Sequence, residues 1–122
     1  MTKSICHGFK PHRMERFMEA CLLMLLRESP AHGYVLAELL GRYGFSQEEL
    51  SVSTLYRTLR NMEKQGLVSS FWEEGGQGPP KRVYEISSRG KQELDMRINT
   101  LAEKKARIEV LLEAYRHTGE SK

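Results

Sequence analysis

Between Ser51 and Ile86 a helical pattern gives way, after Gly66, to two short strand patterns joined by Gly75-Gly76-Gln77-Gly78-Pro79-Pro80, and Lys81-Arg82 follows at once. No other stretch limits the fold so tightly. Successive helical side chains turn by about 100°, which gathers Leu55, Leu59 and Met62 on one face. Ser53, Arg57, Arg60 and Lys64 fall within roughly 40° of the opposite direction, so one side can be buried while the other carries cations and a hydroxyl. Glu63 interrupts the positive charge and projects sideways. Ser51 or Ser53 can cap the start by accepting a bond from an orphan amide, and Gly66 suits the left-handed residue that ends a helix.

If the two strands pair across the Gly/Pro loop, Val68, Trp72, Tyr84 and Ile86 share the buried side, and Ser69, Glu73 and Glu85 face water. The loop is too rich in glycine and proline to pack as a core element, so its tip stays free to reach outward. A cationic helix beside a hairpin with a flexible, positive tip is the geometry of a winged-helix reader of duplex DNA.

Upstream, residues 1–12 are expected to form an irregular, flexible tail, with Gly8 and Pro11 as breakers. A first helix spans about Arg13 to Glu28 and is apolar all round from Ala20 to Leu26, which implies burial on several sides. Ser29-Pro30 ends it. A second helix runs from about Gly33 to Arg42 and buries Tyr34, Leu36, Leu39 and Leu40. The linker Ser46-Gln47-Glu48-Glu49-Leu50 then leads into the cationic helix. The fold class is therefore mainly α, with an α+β winged helix-turn-helix over residues 13–87.

Residues 88–122 carry a second signal. After a cap at Ser87 no proline occurs up to Arg116, and Leu94, Ile98, Leu101, Ile108, Leu112 and Tyr115 keep a four-three rhythm broken at Lys105. A helix of about 28 residues measures roughly 42 Å, longer than so small a domain can cover from within. Its seam is expected to pair with the same helix of a second chain in a twofold dimer, with Met14, Phe17 and Met18 of the first helix joining the interface. The alternative is a helix folded back on its own domain.

Charge matters here more by placement than by sum: the chain has 122 residues and a net charge of only +3. No apolar run approaches the roughly 18 residues needed to span a bilayer, and no basic-then-apolar signal opens the chain, which points to the cytoplasm and to no membrane partner. Cys6 and Cys21 do not form a staple pattern and fit a reducing compartment.

Several motifs together resemble one family. His32-Gly33-Tyr34, Ser53-Thr54-Leu55-Tyr56, Glu63-Lys64-Gln65-Gly66-Leu67-Val68, Gly78-Pro79-Pro80-Lys81-Arg82-Val83-Tyr84 and Ser87-Ser88-Arg89-Gly90 look like the PadR family of bacterial transcriptional regulators, over nearly the whole chain after residue 13. The single C-terminal helix is similar to the short branch of that family, and Tyr56-Arg57-Thr58-Leu59-Arg60 resembles its polyhydroxybutyrate-responsive repressors. The resemblance implies a homodimeric repressor on a palindromic operator, with double-stranded DNA as partner and room for a small effector that releases it. By position, Ser53, Thr54 and Tyr56 match the family's helix-start contacts, and Lys81 and Arg82 match its wing cations. Val52 and Arg57 depart from it, standing where many members have proline. Multidrug-responsive relatives carry a tryptophan on the C-terminal helix, whereas the single tryptophan of this chain, Trp72, lies in the wing.

Bonding capacity divides the expected roles. Tyr56, Lys64, Lys81 and Arg82 suit phosphates, which set affinity and register, while Arg57, Arg60 and Asn61 suit base edges. Cys6-His7 with His12 lacks a fourth metal ligand, so no metal or cofactor is expected. His32 is expected to bond backbone at its helix start, Met14, Met18 and Met24 to pack in the core, and Glu48-Glu49 and Glu73-Glu74 to be solvated. Nothing resembles a nucleophile with its base or a phosphate loop, which leaves an enzyme without support. A protein-interaction module is the alternative to a DNA reader, although the polar face of Ser53, Arg57, Arg60 and Lys64 lacks the apolar anchors such a surface needs.

Overall fold

Leu22, Leu23, Leu36, Leu40, Leu59 and Met62 are fully excluded from water, and the segments that carry them form the core of the domain. The computed structural model describes residues 11–46, 50–74 and 76–120, with side chains over 15–46, 50–74 and 76–119. In chain order the elements are α1 (Pro11–Glu28), β1 (Ala31–His32), α2 (Gly33–Leu40), a single 3-10 turn (Gly41–Tyr43), α3 (Val52–Lys64), β2 (Val68–Glu73), β3 (Lys81–Ile86) and α4 (Ser88–Glu120). Residues 1–10, and with them Cys6 and His7, lie outside the described residues, as do Glu48, Glu49 and the side chains of His12 and Met14.

Helix α1 starts at Pro11, which was expected to break the chain. Proline lacks the amide that a first-turn residue leaves unpaired anyway, so it is suited to open a helix. The all-round apolar stretch is buried as expected: Ala20, Cys21, Leu22, Leu23, Leu25 and Leu26 are each at most 5% exposed. Helix α2 stops at Leu40 rather than Arg42, because the chain tightens into the 3-10 turn and then reverses at Gly44 with φ 85°.

Ser51 is the residue that caps α3. Its hydroxyl oxygen accepts from the Thr54 amide at 3.3 Å and its O–H donates to Thr54 Oγ1 at 2.8 Å. The other end closes in a Schellman arrangement, with Gly66 at φ 79°, its amide bonded to Glu63 O and the Leu67 amide to Met62 O, both at 3.0 Å. That turn delivers buried Leu67 and Val68 straight into β2.

The sheet has three strands in the order β1-β3-β2, all antiparallel. Strand β1 has no sequence signal of its own, being only Ala31 and His32 set opposite Tyr84 and Val83. Val68 faces Ile86, Ser70 faces Tyr84 and Trp72 faces Arg82, so the expected alternation holds. The expected burial of Trp72 does not, since this residue is 62% exposed. Tyr84 and Val68 lie over the helices, whereas Trp72 is near the loop end of the hairpin, one pair from the turn and beyond the edge of the core.

Ser87 joins the wing to the last helix. Its oxygen accepts from the Gly90 amide at 2.9 Å, and its O–H lies within reach of the carbonyls of Gly66 and Leu67. Helix α4 runs for 33 residues, about 50 Å at 1.5 Å per residue. Of the expected seam, Leu94 is 1% exposed and Met18 3%, both absorbed into the chain's own core. Leu101 is half-buried, while Ile98, Ile108, Leu112 and Tyr115 are exposed, and every residue from Ala102 to Gly119 is exposed among the described residues. Arg97 ties α4 to α1, donating to Glu19 at 2.6 Å and to Glu93 at 2.9 Å. Burial alone would weaken the charge on Arg97, but the bonds to these two carboxylates more than offset it and hold its pKa above the ordinary arginine value.

Candidate nucleic-acid interface

Helix α3 divides as its sequence requires. Leu55, Leu59 and Met62 are at most 1% exposed, while Ser53, Arg57, Arg60, Asn61 and Lys64 are open to solvent. Thr58, which had no expected role, is 2% exposed and survives burial because its hydroxyl donates to Thr54 O at 2.8 Å. Thr54 itself is half-buried, drawn in by its bond with Ser51.

The cations on this helix are not equivalent. Arg57 reaches Glu15 of α1 at 3.2 Å, so its charge is partly neutralised within the chain. Arg60 and Lys64 have no carboxylate partner among the described residues. Asn61 lies beside Arg60 on the same exposed flank. Tyr56 is half-buried, with its ring packed over Gly33 at the start of α2. Its hydroxyl therefore sits where the two helices meet.

Next to Gly33, Tyr34 was expected in the core and is instead 56% exposed. At the first turn of α2 it faces the wing: its ring stacks on His32 at 5.8 Å, and Lys81 lies 5.3 Å from its centre with Nζ 3.5 Å from the hydroxyl. Neither contact neutralises Lys81, which stays exposed. His32 stands at the N-cap of α2, but its side chain makes no capping bond to the backbone. Its Nε2 pairs with Glu73 Oε1 at 3.0 Å, which also corrects the expectation that Glu73 is merely solvated.

Arg82, expected with Lys81 to suit phosphates, is bonded within the chain. Its Nε donates to Ser70 Oγ at 2.9 Å and its Nη2 to Glu63 Oε1 at 3.3 Å, and its guanidinium lies 5.7 Å from the ring of Trp72. Burial raises the pKa of the neighbouring Tyr84 hydroxyl, an effect the Arg82 charge opposes. Ser70 carried no sequence signal as a functional position, because a strand serine looks like any solvated residue until its partner on another element is known. Among the described residues no group of His, Cys, Asp and Glu could hold a metal ion, and no helix is long and apolar enough to cross a membrane.

The sequence profile of the "Transcriptional regulator PadR-like family" matches residues 22–96, from α1 through the wing into α4. A PadR family transcriptional regulator from Eggerthella lenta is 31% identical, with a TM-score of 0.69 over 83% of this chain and 87% of that one. A PadR-like transcriptional regulator from Bacillus cereus shares the fold with a TM-score of 0.72 at 23% identity, over 83% and 96% of the two chains. An uncharacterized protein of Lysinibacillus sphaericus is 23% identical over 96 residues, 79% of this chain and 88% of that protein. The chain belongs to the PadR-like family of transcriptional regulators, and it is a DNA-binding regulator rather than an enzyme.

Proposed function

We propose that the protein is a homodimeric repressor that places α3 of each protomer in successive major grooves of a palindromic operator. The supporting observation is a pair of unmatched surfaces on one chain. Arg60, Asn61 and Lys64 are exposed on α3 without carboxylate partners among the described residues, and Ile108, Leu111, Leu112 and Tyr115 are exposed on α4. The first surface suits an anionic groove and the second a like surface on another copy. In this arrangement Arg60 and Asn61 read base edges, with Arg57 joining them once it leaves Glu15, while Ser53, Thr54, Tyr56, Lys64 and Lys81 hold the backbone. A cleft of about 270 Å³ between α1 and α4, lined by Arg16, Phe17, Ala20, Met96 and Lys104 among others, has room for a small effector beside the seam.

The test is selection of bound sites from random duplex DNA. Recovery of a palindrome whose half-sites lie about one helical turn or a small multiple apart is the expected result. Recovery of no motif would overturn the operator and favour a winged helix that docks on protein instead.

A further inference from the structure

Arg82 and Lys81 are adjacent cations at the loop end of the wing, and their surroundings differ in kind. Lys81 is exposed and meets the phenol of Tyr34, and it has no ion pair among the described residues, so its charge faces outward. Arg82 is one corner of a triangle of side chains from three elements. The single O–H of Ser70 donates to Glu63 Oε2 at 2.9 Å, leaving a lone pair on the same oxygen for Arg82 Nε at 2.9 Å, and Arg82 Nη2 returns to the other oxygen of Glu63 at 3.3 Å. Trp72 and Tyr84 flank the guanidinium, each with its ring centre 5.7 Å away. Glu63 is in the last turn of α3, whereas Ser70 and Arg82 are on β2 and β3. The triangle therefore bridges the groove-reading helix and the wing.

We propose that Arg82 is a positioning residue rather than a phosphate ligand: with Ser70 and Glu63 it clasps the wing to α3 and sets the angle at which Lys81 meets the DNA backbone. This rests on the DNA-binding reading above. An Arg side chain suits the task, because its planar fork can satisfy two acceptors at once while its face lies against an aromatic ring. The carboxylate of Glu63 has the wrong sign for a DNA-facing surface, and the clasp supplies its role: it cancels the Arg82 charge and orients it.

The sign of the Glu63 effect separates this proposal from its alternative. If Arg82 held a phosphate, removing the nearby negative charge in Glu63→Gln would tighten binding. If the clasp positions the wing, the same change weakens it. The full chain is tested by fluorescence anisotropy on a labelled operator duplex recovered by selection, across a salt series, with Glu63→Gln, Arg82→Gln, Arg82→Lys, Lys81→Gln and the Glu63→Gln/Arg82→Gln double variant.

Both clasp variants should bind about tenfold more weakly with an unchanged salt slope, since no counterion-releasing contact is lost. The double variant should be no worse than either single one, and Arg82→Lys, which keeps the charge but loses the fork, should not rescue binding. Lys81→Gln should lower the slope by about 0.9 for each phosphate contact removed. Trp72, the only tryptophan of the chain, reports the clasp directly: its emission should shift in Glu63→Gln and Arg82→Gln but not in Lys81→Gln. A lower slope in Arg82→Gln, tighter binding by Glu63→Gln, or rescue by Arg82→Lys overturns the proposal. Wild-type protein that binds no duplex overturns the DNA-binding reading instead. In that case the Trp72 emission of the two clasp variants decides the linkage, a common shift upholding it and no shift refuting it.

Discussion

Gly33 lies directly beneath the ring of Tyr56, so that a Cβ built on the glycine would sit 2.6 Å from Tyr56 Cε1, inside van der Waals contact. Two motifs that are separate in the chain thus close on each other. The missing side chain of one is the seat of the other, and the ring fixes the first turn of α3 against α2. Gly33→Ala should cost about 1–2 kcal/mol by overpacking. In a Tyr56→Ala background the same change should be neutral or stabilising, because alanine is the better helix former. Thermal denaturation of the four proteins measures the coupling.

Gly90 presents a harder case of the same kind. A Cβ there would overlap the backbone carbonyl of Leu67, which cannot swing away as a tyrosine ring can. Gly90→Ala should therefore cost about 3 kcal/mol, more than Gly33→Ala, and should loosen the join between the wing and α4. Urea unfolding monitored by circular dichroism checks the order of the two.

Arg97 should show the asymmetry expected of a buried ion pair, since its side chain and that of Glu19 are each only 11% exposed. Arg97→Leu alone leaves a buried carboxylate without its partner and should cost roughly 3–5 kcal/mol. Glu19→Leu with Arg97→Leu removes both charges and should recover most of that loss. Equal destabilisation in the single and double variants, measured by urea unfolding, would contradict the pairing.

On the exposed part of α4, Leu112→Glu with Tyr115→Glu places like charges on the proposed seam, where the native residues are 45% and 77% exposed. The expected outcome is a monomer by sedimentation velocity, with the fold retained because neither residue packs in the core of its own chain. Operator affinity should fall with it, since each protomer alone reads only one half-site.

For the groove-reading residues, Arg60→Ala should weaken operator binding and relax base preference at one position, by about 1–3 kcal/mol of discrimination. Lys81→Ala should weaken specific and random duplexes alike. Anisotropy titrations on both duplexes distinguish them, and equal losses on the two for Arg60→Ala would remove Arg60 from the base-reading set.

Cys21 gives a pH prediction. Burial pushes its thiol from an ordinary value of 9.0 up to about 11. Between these values the unfolded chain has lost the proton and the folded one still holds it. The stability this group contributes is thus complete below pH 9.0 and is lost as pH rises toward about 11. In a Cys6→Ser background, alkylation of Cys21 should stay slow across that window until the chain unfolds, and Cys21→Ala should flatten the alkaline decline in melting temperature.

Much of this molecule was determined by local sequence. The 3.6-residue rhythm of Leu55, Leu59 and Met62 sets which side of α3 is buried, and Gly66 and Ser87 mark element ends because left-handed backbone and amide capping are short-range demands. Tertiary structure decided what those rules do not reach. Trp72 and Tyr34 are apolar enough for a core but lie outside it, 62% and 56% exposed, and Leu94 and Met18 fit a dimer seam yet are already buried within the chain. The pairing of Arg82 with Glu63 and Ser70 depends on distances between α3, β2 and β3, which exist only after the hairpin has folded onto the helix. Periodicity tells which way a side chain points, and only the packed elements tell what it meets there.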